Sequence, residues 1–215
     1  MNSSKIIELA EQIIELSEDS MDTKPKKKVK PKYKIVLEVG HGDHPDGFEP
    51  GAVDPRTGVR EHALNKIVAM SCEKELKRVG FEVIVTDSGD YLGNIGKTFS
   101  DCDVFVSIHH NAFSDDRAQG SETLIHDTHW NPDDEKLAKA LSKHMSERLA
   151  INNRGIKTMS LSILKGAITG AKKPGKAVVL VEPYFITGKD VDDHLTWSKK
   201  SGIAIADGIL EFLKY

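Results

Sequence analysis

The spacing of apolar positions changes several times along the chain, and each change marks an element. Ile6, Leu9, Ile13 and Leu16 fall at a and d positions, which predicts an amphipathic helix over 4–20 within a first unit of residues 1–22. Ile at a and Leu at d suit a parallel two-stranded coiled coil, so a homodimer through this helix is one expectation. Docking on the rest of the chain is the other. Residues 23–33 carry Pro25, Pro31 and a run of lysines, which prevents packing and predicts an extended tether.

From residue 34 the pattern becomes α/β. Ile35 to Val39, Glu82 to Thr86, Asp103 to Ile108, Gly120 to Ile125 and Ala177 to Val181 read as strands. Residues 62–79, 133–150 and 195–213 read as helices. Ala63, Ile67, Met70 and Leu76 are among the apolar positions of the first helix, and Gly80 stops it. Asn131 and Pro132 introduce the second. Strands alternating with helices predict a single α/β domain over 34–215. Its sheet is mostly parallel (mixed), twisted and covered by helices, and a short helix and basic linker precede it. No internal repeat is visible.

Composition narrows the class. The 215 residues are 39% hydrophobic and 29% charged, enough for one ordinary core and too apolar for wholesale disorder. No apolar run approaches the roughly 18 residues of a membrane helix, so no transmembrane segment is expected. The two cysteines, Cys72 and Cys102, cannot form a disulfide framework or a four-cysteine zinc site, and buried free thiols are expected. The net charge of −3 conceals −5 up to Asp22, +7 from Thr23 to Lys34 and −5 beyond. A globular region of that sign speaks against nucleic-acid binding. Acids interrupt every apolar stretch near Met1, so there is no Sec-type signal and synthesis in the cytoplasm is expected.

Open α/β sheets keep their sites beyond strand ends. Beyond the first strand lie Gly40, His41 and Gly42; beyond the third lie His109, His110 and Asn111; beyond the late strand lie Glu182 and Pro183. The loop after the first strand leads to Glu61 at a helix start. Two histidines and two carboxylates thus converge on one edge of the sheet. Two His and one carboxylate with an open position are what a hydrolytic zinc site requires, and a spare carboxylate serves as general base and acid. Glycines on both sides of His41 ask for close backbone approach. Glu61 has a blander reading as a first-turn carboxylate favoured by the helix dipole. Side-chain alternation lets only one of His109 and His110 face the site, and spacing leaves open which. Glu182 abuts the apolar run Val178 to Val181, a costly place for an acid unless it is paired or functional. His44, His62, His126, His129, His144 and His194 read as surface residues.

Taken in order, these motifs resemble the zinc-dependent N-acetylmuramoyl-L-alanine amidases of the amidase-3 family, from about Ile35 to the C-terminus. The resemblance rests on Gly40, His41 and Gly42; on Pro50, Gly51 and Ala52; on Gly58 and Glu61; and on Ser107, Ile108, His109, Asn111 and Ala112. It continues through Gly120, Glu122 and Thr123, an Arg154 to Lys157 turn, and Val178 to Glu182. It implies one zinc ion per chain with His41, Glu61 and His109 as ligands, thereby choosing His109 over His110, and Glu182 as general base and acid. Asn111 and His110 are expected to contact substrate. The implied reaction cuts the amide between N-acetylmuramic acid and the L-alanine of the stem peptide in peptidoglycan. With no export signal in view, the expected setting is a phage lysin reaching the wall after holin-type release, its lysine-rich linker attracted to anionic wall polymers. A catalytically silent wall-binding module of the same fold and a different zinc peptidase are the alternatives. The chain departs from the family pattern at Pro183 and Tyr184, and in an acidic first loop with Asp43, Asp46 and Glu49.

Overall fold

The computed structural model describes residues 33–87, 89–170 and 176–215. The expected N-terminal helix and most of the lysine-rich linker, with the dimer and wall-polymer expectations tied to them, lie outside the described residues. Among the described residues, eight strands and five helices follow in chain order. They are β1 (Lys34–Val39), β2 (Gly42–His44), β3 (Gly47–Glu49), α1 (Glu61–Arg78), β4 (Glu82–Thr86), α2 (Leu92–Thr98), β5 (Val104–Ile108), β6 (Ser121–His126), α3 (Pro132–Leu149), β7 (Asn153–Met159), α4 (Ser162–Thr169), β8 (Ala177–Glu182) and α5 (His194–Leu213).

Six strands form one sheet in the order β4-β1-β5-β8-β6-β7, while β2 and β3 make a separate hairpin. β4, β1, β5 and β8 run parallel. β6 reverses against β8, and β7 runs parallel to β6. The sheet is therefore mixed, as expected, but it has a sixth strand. Residues 154–157, expected as a turn, belong to edge strand β7.

Strand alternation divides the apolar residues between two layers. Leu37, Val106 and Val179 face one way with α1, α3 and α5; the core there includes Leu76, Leu141 and Ile205. Val36, Phe105, Val178 and Leu180 face the other way under α2 and α4, through Ile95, Ile163 and Leu164. The first trio of helices runs 18, 18 and 20 residues. α2 and α4 have 7 and 8. Neither short helix stands out in the sequence, because Gly93, Gly96 and Gly166 lower local helix propensity. The same glycines let the pair touch backbone to backbone: a Cβ on Gly96 would strike the carbonyl of Ile163, and one on Gly166 that of Gly93.

The helix ends follow the sequence signals. Gly80 sits just past α1 with φ 88°, the left-handed conformation glycine allows. Asn131 caps α3 by accepting from the amides of Asp133 and Asp134, and Asp134 returns the bond in a capping box. Cys72 and Cys102 are buried free thiols, as expected. Three histidines expected on the surface are instead buried, at 8% exposure for His62, 2% for His126 and 8% for His194. His62 and His194 are drawn inward by partners: His62 by the Gly40 carbonyl at 3.1 Å, His194 by Asp54 at 3.2 Å. Among the described residues, no helix is long and apolar enough to cross a membrane.

Candidate active site

The site is built from the carboxyl ends of β1, β5 and β8 and the first turn of α1. β1 ends at Val39, and the chain turns sharply through His41, whose φ of 65° is a conformation non-glycine residues seldom adopt. Such strain persists where surrounding contacts over-determine it. Here the rings of His41 and His109 meet edge to face at 4.8 Å. A Cβ on Gly40 would overlap the His109 ring, so the glycine before His41 makes room for the second histidine. The expected close approach of backbone is thus to His109 itself.

Glu61 opens α1 and gathers these groups. Its Oε1 lies 3.2 Å from Nε2 of His41 and 3.0 Å from Nδ1 of His109. The same oxygen accepts the backbone N–H of His110 at 3.0 Å, and Oε2 accepts that of Ala52 at 2.9 Å. In return the amides of Glu61 and His62 donate to the carbonyls of Ala52 and Pro50, satisfying two orphan donors of the helix start. Burial alone would push the Glu61 carboxyl up; its bonds with His109 and His41 outweigh burial and hold it far below the ordinary range.

Asn65, one turn along α1, ties the two histidine loops together. Its Nδ2 donates to the Gly40 carbonyl at 3.0 Å, and its Oδ1 meets Nδ1 of His110 at 2.7 Å. Alternation sends consecutive histidines to opposite sides. His109 faces the site, whereas His110 is 3% exposed and packs edge to face on Tyr184 at 4.5 Å. Burial lowers the His110 imidazole to about 3, keeping it neutral. This placement packs His110 against Tyr184, on the side of the strand away from His109.

Glu182 ends β8 opposite these ligand-type residues. It is half-buried, and its Oε2 accepts Nδ2 of Asn111 at 2.6 Å. The same nitrogen donates to Oε1 of Glu122 at 2.8 Å, and Oδ1 of Asn111 accepts the Ala112 amide at 2.9 Å. Asn111 therefore serves the carboxylates as a brace. Burial raises the Glu182 carboxyl to about 8, reinforced by Glu122 and then Glu61, with Asn111 opposing. A carboxyl that titrates near neutrality is suited to both accepting and donating a proton.

His41, Glu61 and His109 each offer an atom within 4.8 Å of the others, so the three could hold one metal ion. Two imidazoles and a carboxylate are a set that zinc accepts. The geometry joins every ligand expected from the sequence and adds three residues to which no role was assigned: Glu122, Arg154 and Asn65. A search beyond the carboxyl ends of strands cannot find the first two. β6 and β7 run against β8, so their amino ends reach the site edge. The signal was a Glu and an Arg near the starts of two strands.

The model of the N-acetylmuramoyl-L-alanine amidase family Amidase_3 matches residues 35–214. The chain belongs to this family. Amidase LytC of Bacillus subtilis is 27% identical over 188 residues, covering 84% of this chain and 35% of LytC. The chain thus spans about a third of the length of that relative. Among solved structures, the CwlD amidase of Clostridioides difficile, in complex with the GerS lipoprotein, matches with TM-score 0.70 at 24% identity, over 85% of this chain and 99% of CwlD. The catalytic domain of the CD27L endolysin matches with TM-score 0.66 at 22% identity, over 83% and 97% of the two chains. At these identities the two structures establish the fold alone.

Proposed function

We propose that this chain is an N-acetylmuramoyl-L-alanine amidase acting on peptidoglycan. It hydrolyses the amide between the lactyl group of N-acetylmuramic acid and the L-alanine of the stem peptide. One observation carries this reading: a three-residue group fit for zinc and a separate half-buried carboxyl, Glu182, share one edge of the sheet. Family membership supplies the bond to be cut.

His41, Glu61 and His109 would hold the zinc ion, which when bound supplies Lewis acidity at the scissile carbonyl and makes a water more acidic. Glu182 accepts a proton from the attacking water. The water oxygen bonds to the carbonyl carbon, the carbon–nitrogen bond breaks, and Glu182 delivers its proton to the departing alanine nitrogen. The carboxylate ends as it began. Asn111 orients Glu182 by holding its Oε2 at 2.6 Å.

Digestion of purified peptidoglycan with and without a chelator tests the proposal. Mass spectrometry should find free stem peptides that begin with L-alanine, formed only when zinc is available. Cuts within the stem peptide would replace the amidase with a zinc peptidase. Intact peptidoglycan despite stoichiometric zinc would leave a wall-binding module.

A further inference from the structure

Glu122 and Arg154 take no part in the steps above, yet the fold brings both to Glu182. Glu122 is the direct cross-strand partner of Glu182 in the β6–β8 register. Two acids so paired repel, and burial adds to the cost; Glu122 is 8% exposed. Three contacts answer the repulsion. Asn111 donates to both carboxylates through one nitrogen. Nε of Arg154 donates to Oε2 of Glu122 at 2.6 Å. The Arg154 guanidinium lies 5.0 Å from the centroid of Phe185, three residues past Glu182, which fixes its plane. Gly120 makes that path possible: its φ is +116°, and a Cβ there would lie 2.8 Å from Cγ of Arg154. Both motifs, Gly120 with Glu122 and Arg154 with Gly155, thereby serve one arrangement.

We propose that Glu122 and Arg154 are positioning residues for Glu182: the Arg154–Glu122 ion pair assigns the proton of the cross-strand carboxyl pair to Glu182, and Asn111 sets their spacing. The cation is bonded to Glu122, so the proton that relieves the repulsion resides on the other carboxyl. Environments that push two acids apart in this way define which one does acid–base work. The groups facing Glu182 are Glu122 from β6, Glu61 from α1, the Asn111 amide from the loop after β5, and Arg154 from β7 acting through Glu122. The inference rests on the reading of Glu182 as general base and acid.

The test compares pH profiles of kcat/KM for the zinc-loaded protein. Glu122→Gln removes one negative charge and keeps the shape, so the ascending limb moves to lower pH by about one unit. Arg154→Met removes the cation and keeps contact with Phe185; Glu122 then competes for the proton, part of Glu182 is ionised at lower pH, and the limb broadens toward lower pH. Arg154→Lys restores most of the wild-type limb. A merely structural role would lower kcat and the melting temperature of the variants alike and leave the limb in place. The same titration is read without turnover from the infrared band of the protonated carboxyl, with Glu182→Gln identifying the band. Should Glu122→Gln fail to fold, the two Arg154 variants carry the test. An inactive Glu182→Gln beside unmoved limbs and bands in the Glu122 and Arg154 variants would overturn this inference and leave the Glu182 reading standing. Wild-type turnover by Glu182→Gln would overturn the reading itself, and this inference with it.

Discussion

The two faces of the central sheet start alike and end differently. On the face beneath α1, α3 and α5, the strand rows stay apolar to their carboxyl ends: Val39, Ile108 and Val181 all belong to the main core. On the opposite face the rows begin with Val36, Phe105, Val178 and Leu124. They then switch to polar groups at the same edge. Two residues past Val36 comes Glu38, two past Phe105 comes Ser107 and then His109, two past Leu180 comes Glu182, and two before Leu124 comes Glu122. Helix length explains the difference. Helices of 18 to 20 residues reach about 27–30 Å, longer than any strand they cover. α2 and α4, with 7 and 8 residues, reach about 10–12 Å and cannot cover a strand end to end. The uncovered end is where buried acids collect. Glu38 belongs to that set: burial raises its carboxyl, and Ser107 Oγ donates to it at 2.5 Å. One face holds the fold together, and the other spends part of its core on chemistry.

The comparison breaks most visibly at Glu182. Glu182→Gln should lower kcat by about 10²–10⁴-fold, the usual share of a general base and acid. The melting temperature should hold or rise, because the variant removes an acid that burial and Glu122 already disfavour as an anion. Product release and thermal melting of the same preparation check both halves. The covered face should behave in the opposite sense. Leu141 is fully buried on α3 against Gly208 of α5. Leu141→Ala should cost about 2–5 kcal/mol in denaturant unfolding while the folded fraction keeps its kcat. A loss of kcat at unchanged stability there would show that the division of labour is false.

The sequence made the covered face easier to read than the open one. α1, α3 and α5 carry long apolar periods and cap signals, so their bounds fall within a residue or two of expectation. α2 and α4 are short, glycine-bearing and held by contact with each other, which no local period reveals. β7 is largely exposed along its length and lacks a buried row. The residues His41, Glu61, His109 and Glu182 were legible because three parallel strands and one helix start point at the same edge. Glu122 and Arg154 entered only as motif residues without a role, because their strands arrive from the other direction. Alternation, already legible in the sequence, carries His110 into the opposite layer beside Tyr184, while His109 joins His41 and Glu61.

Asn65 sharpens the comparison, since it joins the faces. It bonds the carbonyl before His41 and the ring after His109 from a position that is fully buried. Asn65→Ala should weaken zinc binding by about 10–100-fold, the range for partners that orient metal ligands. Chelator competition measures this without substrate. Unchanged affinity would mean that the Glu61 contacts alone fix the two histidines.

The smallest expected effect lies at the opposite edge of the sheet, where a buried acid serves structure alone. Asp134 is fully buried, and it accepts the amides of Val178 at 2.6 Å and Asn131 at 2.8 Å. β6 pairs with β8 only from Leu180 to Glu182, so Asp134 takes the place of a strand partner for Val178. Burial raises its carboxyl to about 6, with the bonds from Asn131 and Val178 opposing. A carboxyl raised on folding binds its proton more tightly in the native state. Its contribution is therefore fully present below the ordinary carboxylate range and is lost as pH rises through about 6. Carboxylates depressed on folding, such as Asp54 and Asp193, act in the opposite sense and lose their contribution as pH falls. Whole-protein stability mixes the two, so the measurement is a difference. Between pH 7 and pH 5 the stability of the wild type relative to Asp134→Asn should grow by about 1–2 kcal/mol. A flat difference across that range would mean that Asp134 is ionised in the fold throughout, and that two amide donors suffice to offset its burial.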